Sequence, residues 1–242
     1  MLTDATIDLT PAVQRLPENL LLAALPESER ALLLAQCETV RVQAGQLLYE
    51  AGQAPACVFF PLDTLVSLLA VADGRSTLEV GVVGCEGMLG AAVLHAGRPL
   101  PLRAVVQRSG CLLRVESGRF GQLYRQMPVL QQALHLYTEA LLAQVIQIAV
   151  CSRFHMLEAR LARVLLMTRD RLHTQKFHLT HEFLAQMLGV RRVGVTKAAC
   201  ALQDKQLIGY SRGNIEILDA AGLEQVACRC YGLVRAASAV AC

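Results

Sequence analysis

Hydrophobic and polar positions divide this chain into three textures. Between residues 37 and 121, short runs rich in Val and Leu alternate with Gly and Asp: CETVRV, AGQLLYEAG, CVFFPL, DTLVSLLAV, STLEVGVVG, LPLRAVVQ and CLLRVES. Runs of about 4–8 residues broken by turn residues at short intervals predict antiparallel strands in a roll or sandwich. Gly45, Gly52, Gly74, Gly84 and Gly110 stand at the turns, and Asp73-Gly74 is a hairpin signal. Upstream, residues 17–36 read as two short helical pieces split by Pro26, with Ser28 able to cap the second.

From Pro128 the period changes. No Gly or Pro follows before residue 189, and apolar residues at 130, 134, 137, 141, 145 and 148 recur at three- and four-residue steps. That spacing predicts one long helix with an apolar stripe. The stripe fits packing on the chain's own strands. It also fits a two-stranded coiled coil with a second copy, and Gln144 and Gln147 beside it favour the dimer seam. A second helix follows, HMLEARLARVLLMTRDRL, with Leu157, Leu161, Val164 and Leu165 on one face and Arg153, Arg160, Arg163 and Arg169 mostly elsewhere.

The third texture is helix, turn, helix, hairpin. Thr180 can cap a helix whose apolar face is Phe183, Leu184, Met187 and Leu188, with small Ala185 where another helix could cross. Gly189 can take the left-handed conformation that ends it, and Val190 is the buried turn residue. A second helix runs from about Arg191 to Gln203. Val195, Ala199 and Leu202 share one face, while Val193, Thr196 and Lys197 point away. Then Leu207-Ile208-Gly209-Tyr210, Ser211-Arg212-Gly213 and Ile215-Glu216-Ile217 read as strand, tight turn and strand. This is a winged helix-turn-helix pattern.

Composition changes the picture in two ways. Apolar residues make up 54% of the 242, yet no uninterrupted apolar run reaches the ~18–20 residues of a membrane helix. The nearest, Ala140–Cys151, carries Gln144 and Gln147. The start, MLTDATIDLT, is acidic and lacks a signal-peptide core. A cytoplasmic protein with no membrane partner is expected, its surplus apolar surface used in an interface. Net charge is only +3, but its distribution matters. Arg153, Arg160, Arg163, Arg169 and Arg171 stand against Glu158 and Asp170 alone, and Arg191, Arg192 and Lys197 against no acid. Tandem arginines at a helix start oppose the macrodipole, so a partner supplying negative charge is implied.

In its order of elements, and above all in LTHEFLAQMLGVRRVGVTKAACALQDKQLIGYSRGNIEILD (179–219), the chain resembles the Crp/Fnr superfamily of transcription regulators. The resemblance implies an α+β fold. It comprises an N-terminal helical segment (1–36), an antiparallel, cyclic-nucleotide-binding-like β-roll (37–122), a long dimerisation helix (123–152), and a C-terminal winged helix-turn-helix with a tail (153–242). It implies a homodimer on a two-fold symmetric site in double-stranded DNA, working with RNA polymerase, and no enzymatic activity. Arg192 matches the family's guanine-reading arginine and Lys197 a later basic position. Val193 replaces the glutamate common after that arginine. Arg191, Thr196, Thr180, His181 and, on the wing, Arg212 complete the expected DNA contacts.

The effector cassette departs from the family. Members that bind cyclic AMP hold the ribose with Gly-Glu-Leu and the phosphate with an Arg followed by a small residue. Here Cys85, Glu86, Gly87, Met88 and Leu89 occupy the first part, with Met88 in the glutamate's place. Leu100-Pro101 replaces the pair, and Arg98 and Arg103 lie out of register. Conventional cyclic-AMP binding is therefore not expected, the effector stays unknown, and a factor active without ligand remains open. No cysteine precedes Cys37, which argues against the N-terminal iron–sulfur centre of the oxygen-sensing branch. The dimer interface expected along the long helix is Leu130, Leu134, Tyr137, Leu141, Gln144, Val145 and Ile148.

The nine cysteines are scattered and odd in number, which argues against a disulfide framework. Cys151 and His155 are one helical turn apart, and two ligands do not make a metal site. The Cys228-Arg229-Cys230 spacing, with Cys242, is too short for a standard zinc pair. His173, His178 and His181 read as polar surface or phosphate contacts, and Cys85 as a small buried side chain or a thiol sensor. The expectation is no cofactor and no metal. The alternative is a small-molecule or thiol-redox sensor whose output is protein interaction.

Overall fold

The computed structural model describes residues 18–72, 76–95 and 98–241. The acidic N-terminal stretch, the Asp73-Gly74 turn and Cys242 lie outside the described residues. Two short helices, α1 (Leu20–Ala23) and α2 (Glu27–Leu34), open the chain on either side of Pro26. Asn19 caps α1 and is itself buried, donating to the carbonyls of Pro61 and Gly87 at 3.0 and 2.9 Å. That side chain ties the segment to the strands behind it.

Seven strands follow: β1 (Glu38–Val42), β2 (Leu47–Tyr49), β3 (Cys57–Pro61), β4 (Leu65–Ala72), β5 (Ser76–Val83), β6 (Leu102–Arg108) and β7 (Gly110–Glu116). Each falls on one of the runs read from sequence. They pair antiparallel in two sheets, ordered β1-β7-β3 and β2-β6-β4-β5. Val58, Phe60, Leu112 and Val115 from one sheet meet Val66, Leu68, Ala104 and Val106 from the other in one buried core.

α3 (Ser117–Tyr124) leads to the long helix α4 (Pro128–Phe154). The sequence places this helix at 123–152. It starts later because Pro128, at the first helical position, lacks the N–H a continuing helix needs. The Glu29 carboxylate accepts from the N–H groups of Val129 and Leu130 at its N-terminus. α4 is apolar and long enough to cross a membrane by length and composition, but here its inward stripe closes the roll. Leu130, Leu134, Tyr137, Gln144 and Ile148 are buried within the chain, and Leu141 and Val145 are half-buried beside them. Tyr137 donates to the Met88 carbonyl at 2.8 Å, and the Gln144 amide pairs with both the N–H and C=O of Val82. The expected dimer interface is thereby corrected: those residues face the chain's own sheet, where backbone groups satisfy the polar tips. The large apolar side chains α4 leaves exposed are Leu142, Ile146 and Val150 along its outer face and Val129 and Phe154 at its ends.

The C-terminal domain comprises α5 (Leu157–Leu172), β8 (Lys176–His178), α6 (His181–Leu188), α7 (Arg192–Asp204), β9 (Ile208–Ser211), β10 (Asn214–Ile217), α8 (Ala220–Val226) and α9 (Cys230–Ala241). Its core joins Leu161, Leu165, Leu184, Leu188, Val195, Leu202 and Ile215, with Val82 of β5 packed against it. What the sequence offers as a tail is thus two helices, and α9 runs alongside α4. Arg160 and Arg163 are buried rather than solvated. Arg160 donates to the Leu188 carbonyl at the end of α6, so part of the basic segment supports the turn from inside.

Candidate nucleic-acid interface, effector pocket and thiol cluster

The helix-turn-helix is built as its sequence dictates. Thr180 Oγ1 accepts from the Phe183 N–H at 3.2 Å and starts α6. Gly189 ends it at φ +62°, with Val190 N–H bonded to the Ala185 carbonyl and Gly189 N–H to that of Gln186. This is a Schellman closure, and a side chain at 189 would also press on Leu78 of β5. α7 then buries Val195, Ala198, Ala199 and Leu202. Arg191, Arg192, Val193, Thr196 and Lys197 are all exposed on its other face, and among the described residues no side chain caps its first turn. Free N–H groups and three cations thus share one surface.

The wing confirms the hairpin reading. Ser211 and Asn214 flank a two-residue turn, Arg212-Gly213, in which both residues have positive φ, the geometry of a type I′ turn. Arg212 is exposed at its tip. Strand β8, which the sequence reading missed, adds a third strand in the order β8-β10-β9. Its three residues KFH are too few for periodicity to register.

The expected histidine contacts divide. His181 stacks on Tyr210 with ring centroids 4.1 Å apart, and its Nδ1 meets Thr196 Oγ1 at 3.0 Å. Burial, then the Arg192 charge, pulls its pKa below the usual range, so the ring is neutral at pH 7. It braces α6, α7 and the wing against one another. His178 bonds Asn214 at 3.1 Å, and His173 lies 3.8 Å from Cys85 Sγ.

The effector cassette is packed shut. Met88 and Leu89 are buried core, and a Cβ at Gly87 would stand 2.4 Å from the Tyr137 ring. Glu86 turns away from the roll to pair with Arg171 Nε at 2.6 Å, and Cys85 Sγ meets the Arg171 carbonyl at 3.7 Å. Arg103 pairs with Glu50 at 2.7 Å, and Arg98 is exposed. The cavity left inside the roll, between Tyr49, Leu68, Met88, Leu102 and Leu141, holds about 30 Å³. A larger one of about 110 Å³ lies where the two domains meet, walled by Cys85, Glu86, Arg171, His173, Tyr231 and Arg235.

The expectation of no metal or cofactor is corrected by a cluster at the end of α4. One ligand atom from each of Cys151, His155, Cys228 and Cys230 lies within 4.8 Å of the others, a group able to hold a metal ion. Cys151 Sγ is 3.3 Å from Cys228 Sγ, and Cys230 Sγ is 3.5 Å from His155 Nδ1. The Cys228 hydrogen bond pulls the Cys151 thiol below its usual value, against its burial. Each half was visible in sequence. Joining them requires the docking of α9 on α4.

Residues 159–226 match the Crp-like helix-turn-helix domain. A search of curated proteins returned no match. Solved structures share the fold. FixK2 from Bradyrhizobium japonicum superposes with a TM-score of 0.69 at 14% identity, over 79% of this chain and 98% of that one. A Crp/Fnr-family transcriptional regulator from Thermus thermophilus gives 0.63 at 24% identity, over 78% and 98%. The c-di-GMP responsive global regulator CLP of Xanthomonas campestris gives 0.63 at 14%, over 79% and 99%. Residues 159–226 are thus similar to the Crp-like helix-turn-helix domain, and the fold around them is the one these solved structures share.

Proposed function

We propose that this regulator is a homodimer that reads a two-fold symmetric DNA site, with RNA polymerase as its further partner. The observation that carries the reading is the outward face of α7. Arg191, Arg192, Thr196 and Lys197 are exposed around an uncapped helix N-terminus, beside an exposed Arg212 on the wing. The N-terminal part of a recognition helix enters the major groove, where arginine pairs with guanine and other cations meet phosphate. Phosphate also supplies the N–H partners that the protein withholds. Arg191, Lys197 and Arg212 from two protomers would neutralise about six phosphates, giving a log K against log salt slope of about −5. Binding to a selected palindrome should exceed binding to random DNA by at least about 10³. Equal affinity for both would refute the reading.

The dimer is assigned to the outer stripe of α4. His135, Glu139, Leu142, Ile146, Ala149 and Arg153 follow alternating steps of four and three, and Val150 adjoins them. Leu142 and Ile146 are 58% and 50% exposed, high for side chains this apolar. The double substitution Leu142→Glu, Ile146→Glu should weaken self-association at least about 100-fold, read by sedimentation. It should leave the roll's core intact. An unchanged dimer would place the seam elsewhere.

The effector, if there is one, is not a conventionally held cyclic nucleotide. A 30 Å³ apolar space accommodates about one water, and Met88 is buried core where an acceptor for the ribose would stand. A factor active without ligand is the second reading, favoured by that filled pocket. Native mass spectrometry of chain purified without additives separates the two by the presence or absence of a co-purified small molecule.

A further inference from the structure

We propose that Cys151, His155, Cys228 and Cys230 bind one zinc(II) ion that clamps α9 to the end of α4. Donor type comes first: three thiols and an imidazole select zinc among common divalent ions, since magnesium and calcium take oxygen ligands. Geometry comes next. Around tetrahedral zinc with bonds of about 2.3 Å to sulfur and about 2.0–2.1 Å to nitrogen, neighbouring donors stand about 3.6–3.8 Å apart. The two measured edges are 3.3 and 3.5 Å, and no donor pair exceeds 4.8 Å. Sub-ångström shifts complete the tetrahedron. An iron–sulfur cluster sets several atoms between its ligands and spreads them further apart than one ion does.

The cluster is held by backbone on both sides. Cys151 and His155 are one turn apart at the end of α4, joined by the His155 N–H to Cys151 carbonyl bond. Cys228 is fixed by its N–H to the Ala159 carbonyl, and its own carbonyl receives the Tyr231 N–H. Cys230 is the first residue of α9, so the helix itself sets where its side chain starts.

A second observation is independent of the donors. Nε of Arg160 and of Arg163 is buried without a hydrogen-bond partner among the described residues, and both guanidiniums exert their field on Cys151. On zinc loading the three cysteines bind as thiolates, each thiol still protonated releasing its proton to solvent, while His155 binds through a neutral ring nitrogen. The Cys₃His–zinc centre then carries a net charge of −1 beside two under-satisfied buried cations.

The clamp has consequences for the C-terminal domain. α9 carries Tyr231 and Arg235, which wall the interdomain cavity, so the ion would fix that wall to the helix assigned to dimerisation. Metal binding itself stands apart from the DNA-binding reading.

The test uses the full, tag-free chain, isolated under anaerobic reducing conditions and loaded with zinc. About one zinc per chain is expected, with an apparent Kd tighter than about 100 nM. Cobalt(II) in its place should give thiolate-to-metal charge-transfer absorption with a tetrahedral spectrum. Cys230→Ser and His155→Ala should each weaken binding at least about 10-fold, whereas Cys200→Ser, at an exposed thiol outside the cluster, should not. In the wild-type chain alone, backbone amides of α9 should exchange more slowly with zinc than after chelation, a readout that survives a poorly folding variant. Any of these results overturns the proposal: substoichiometric zinc under saturating conditions, an octahedral cobalt spectrum, or α9 exchange indifferent to zinc. A Cys151–Cys228 disulfide that persists in the reduced preparation does so too.

Discussion

The Arg192→Ala substitution is expected to lower affinity for a selected palindromic site between about 30- and 10⁴-fold while barely changing affinity for random DNA. Each bidentate arginine–guanine pair is worth about 1–3 kcal/mol of discrimination, and a two-fold symmetric dimer makes it twice. The fold should be indifferent to the change. Arg192 is exposed at the first helical position of α7, and the bond that residue 192 lends the helix, Thr196 Oγ1 to its carbonyl, is retained by alanine. Lys197→Ala and Arg191→Ala should behave differently. Each should weaken all sequences alike and reduce the salt slope by about 1 per half-site. The contrast separates base reading from backbone contact. Arg192→Ala matching Lys197→Ala in both respects would remove Arg192 from the base-reading role.

How much of this was legible in sequence depends on the range of the interaction. The winged helix-turn-helix is written locally. The Thr180 cap, the Gly189 turn, the α7 face and the Arg212-Gly213 hairpin each depend on residues within a few positions of one another, and each forms. The strands of the roll were equally legible, because turn residues punctuate them. The stripe on α4 was legible as a stripe but not as to its partner. Its period is the same whether it meets a second copy or β5, and Gln144 decides only once Val82 is known to face it. The arginines of α5 misled for a related reason. Charge argues for solvent unless a buried acceptor is available, and for Arg160 that acceptor is a carbonyl 28 residues away. The cluster at Cys151 is the extreme case, since Cys151 and Cys228 are 77 positions apart.

A second large effect concerns Glu79, whose environment is likewise invisible in sequence. Its carboxyl is buried in β5 between the two domains, accepting from Ser67 Oγ at 2.7 Å, with Arg163 and Arg171 of α5 acting on it. Burial outweighs these partners and pushes its pKa from 4.5 up to about 7. Between those values the folded chain keeps a proton that the unfolded chain has lost. The stability contributed is therefore full below pH 4.5, declines as pH rises towards 7, and stays lost above it. At about 1.4 kcal/mol per pH decade the loss is on the order of 3 kcal/mol. Glu79→Gln keeps the acceptor for Ser67 without the ionisation. In urea titrations it should match the wild-type chain near pH 5 and exceed it by about 2–3 kcal/mol at pH 8. A constant difference across that range would show that Glu79 titrates as an ordinary carboxylate. Because β5 belongs to the roll and the C-terminal domain packs over it, the burial that opposes ionisation comes from their docking, and outweighs the attraction of Arg163 and Arg171, so the stability lost is stability of that docking. Amides of α6, which packs on β5, should therefore lose protection as pH rises in the wild-type chain and keep it in the glutamine variant.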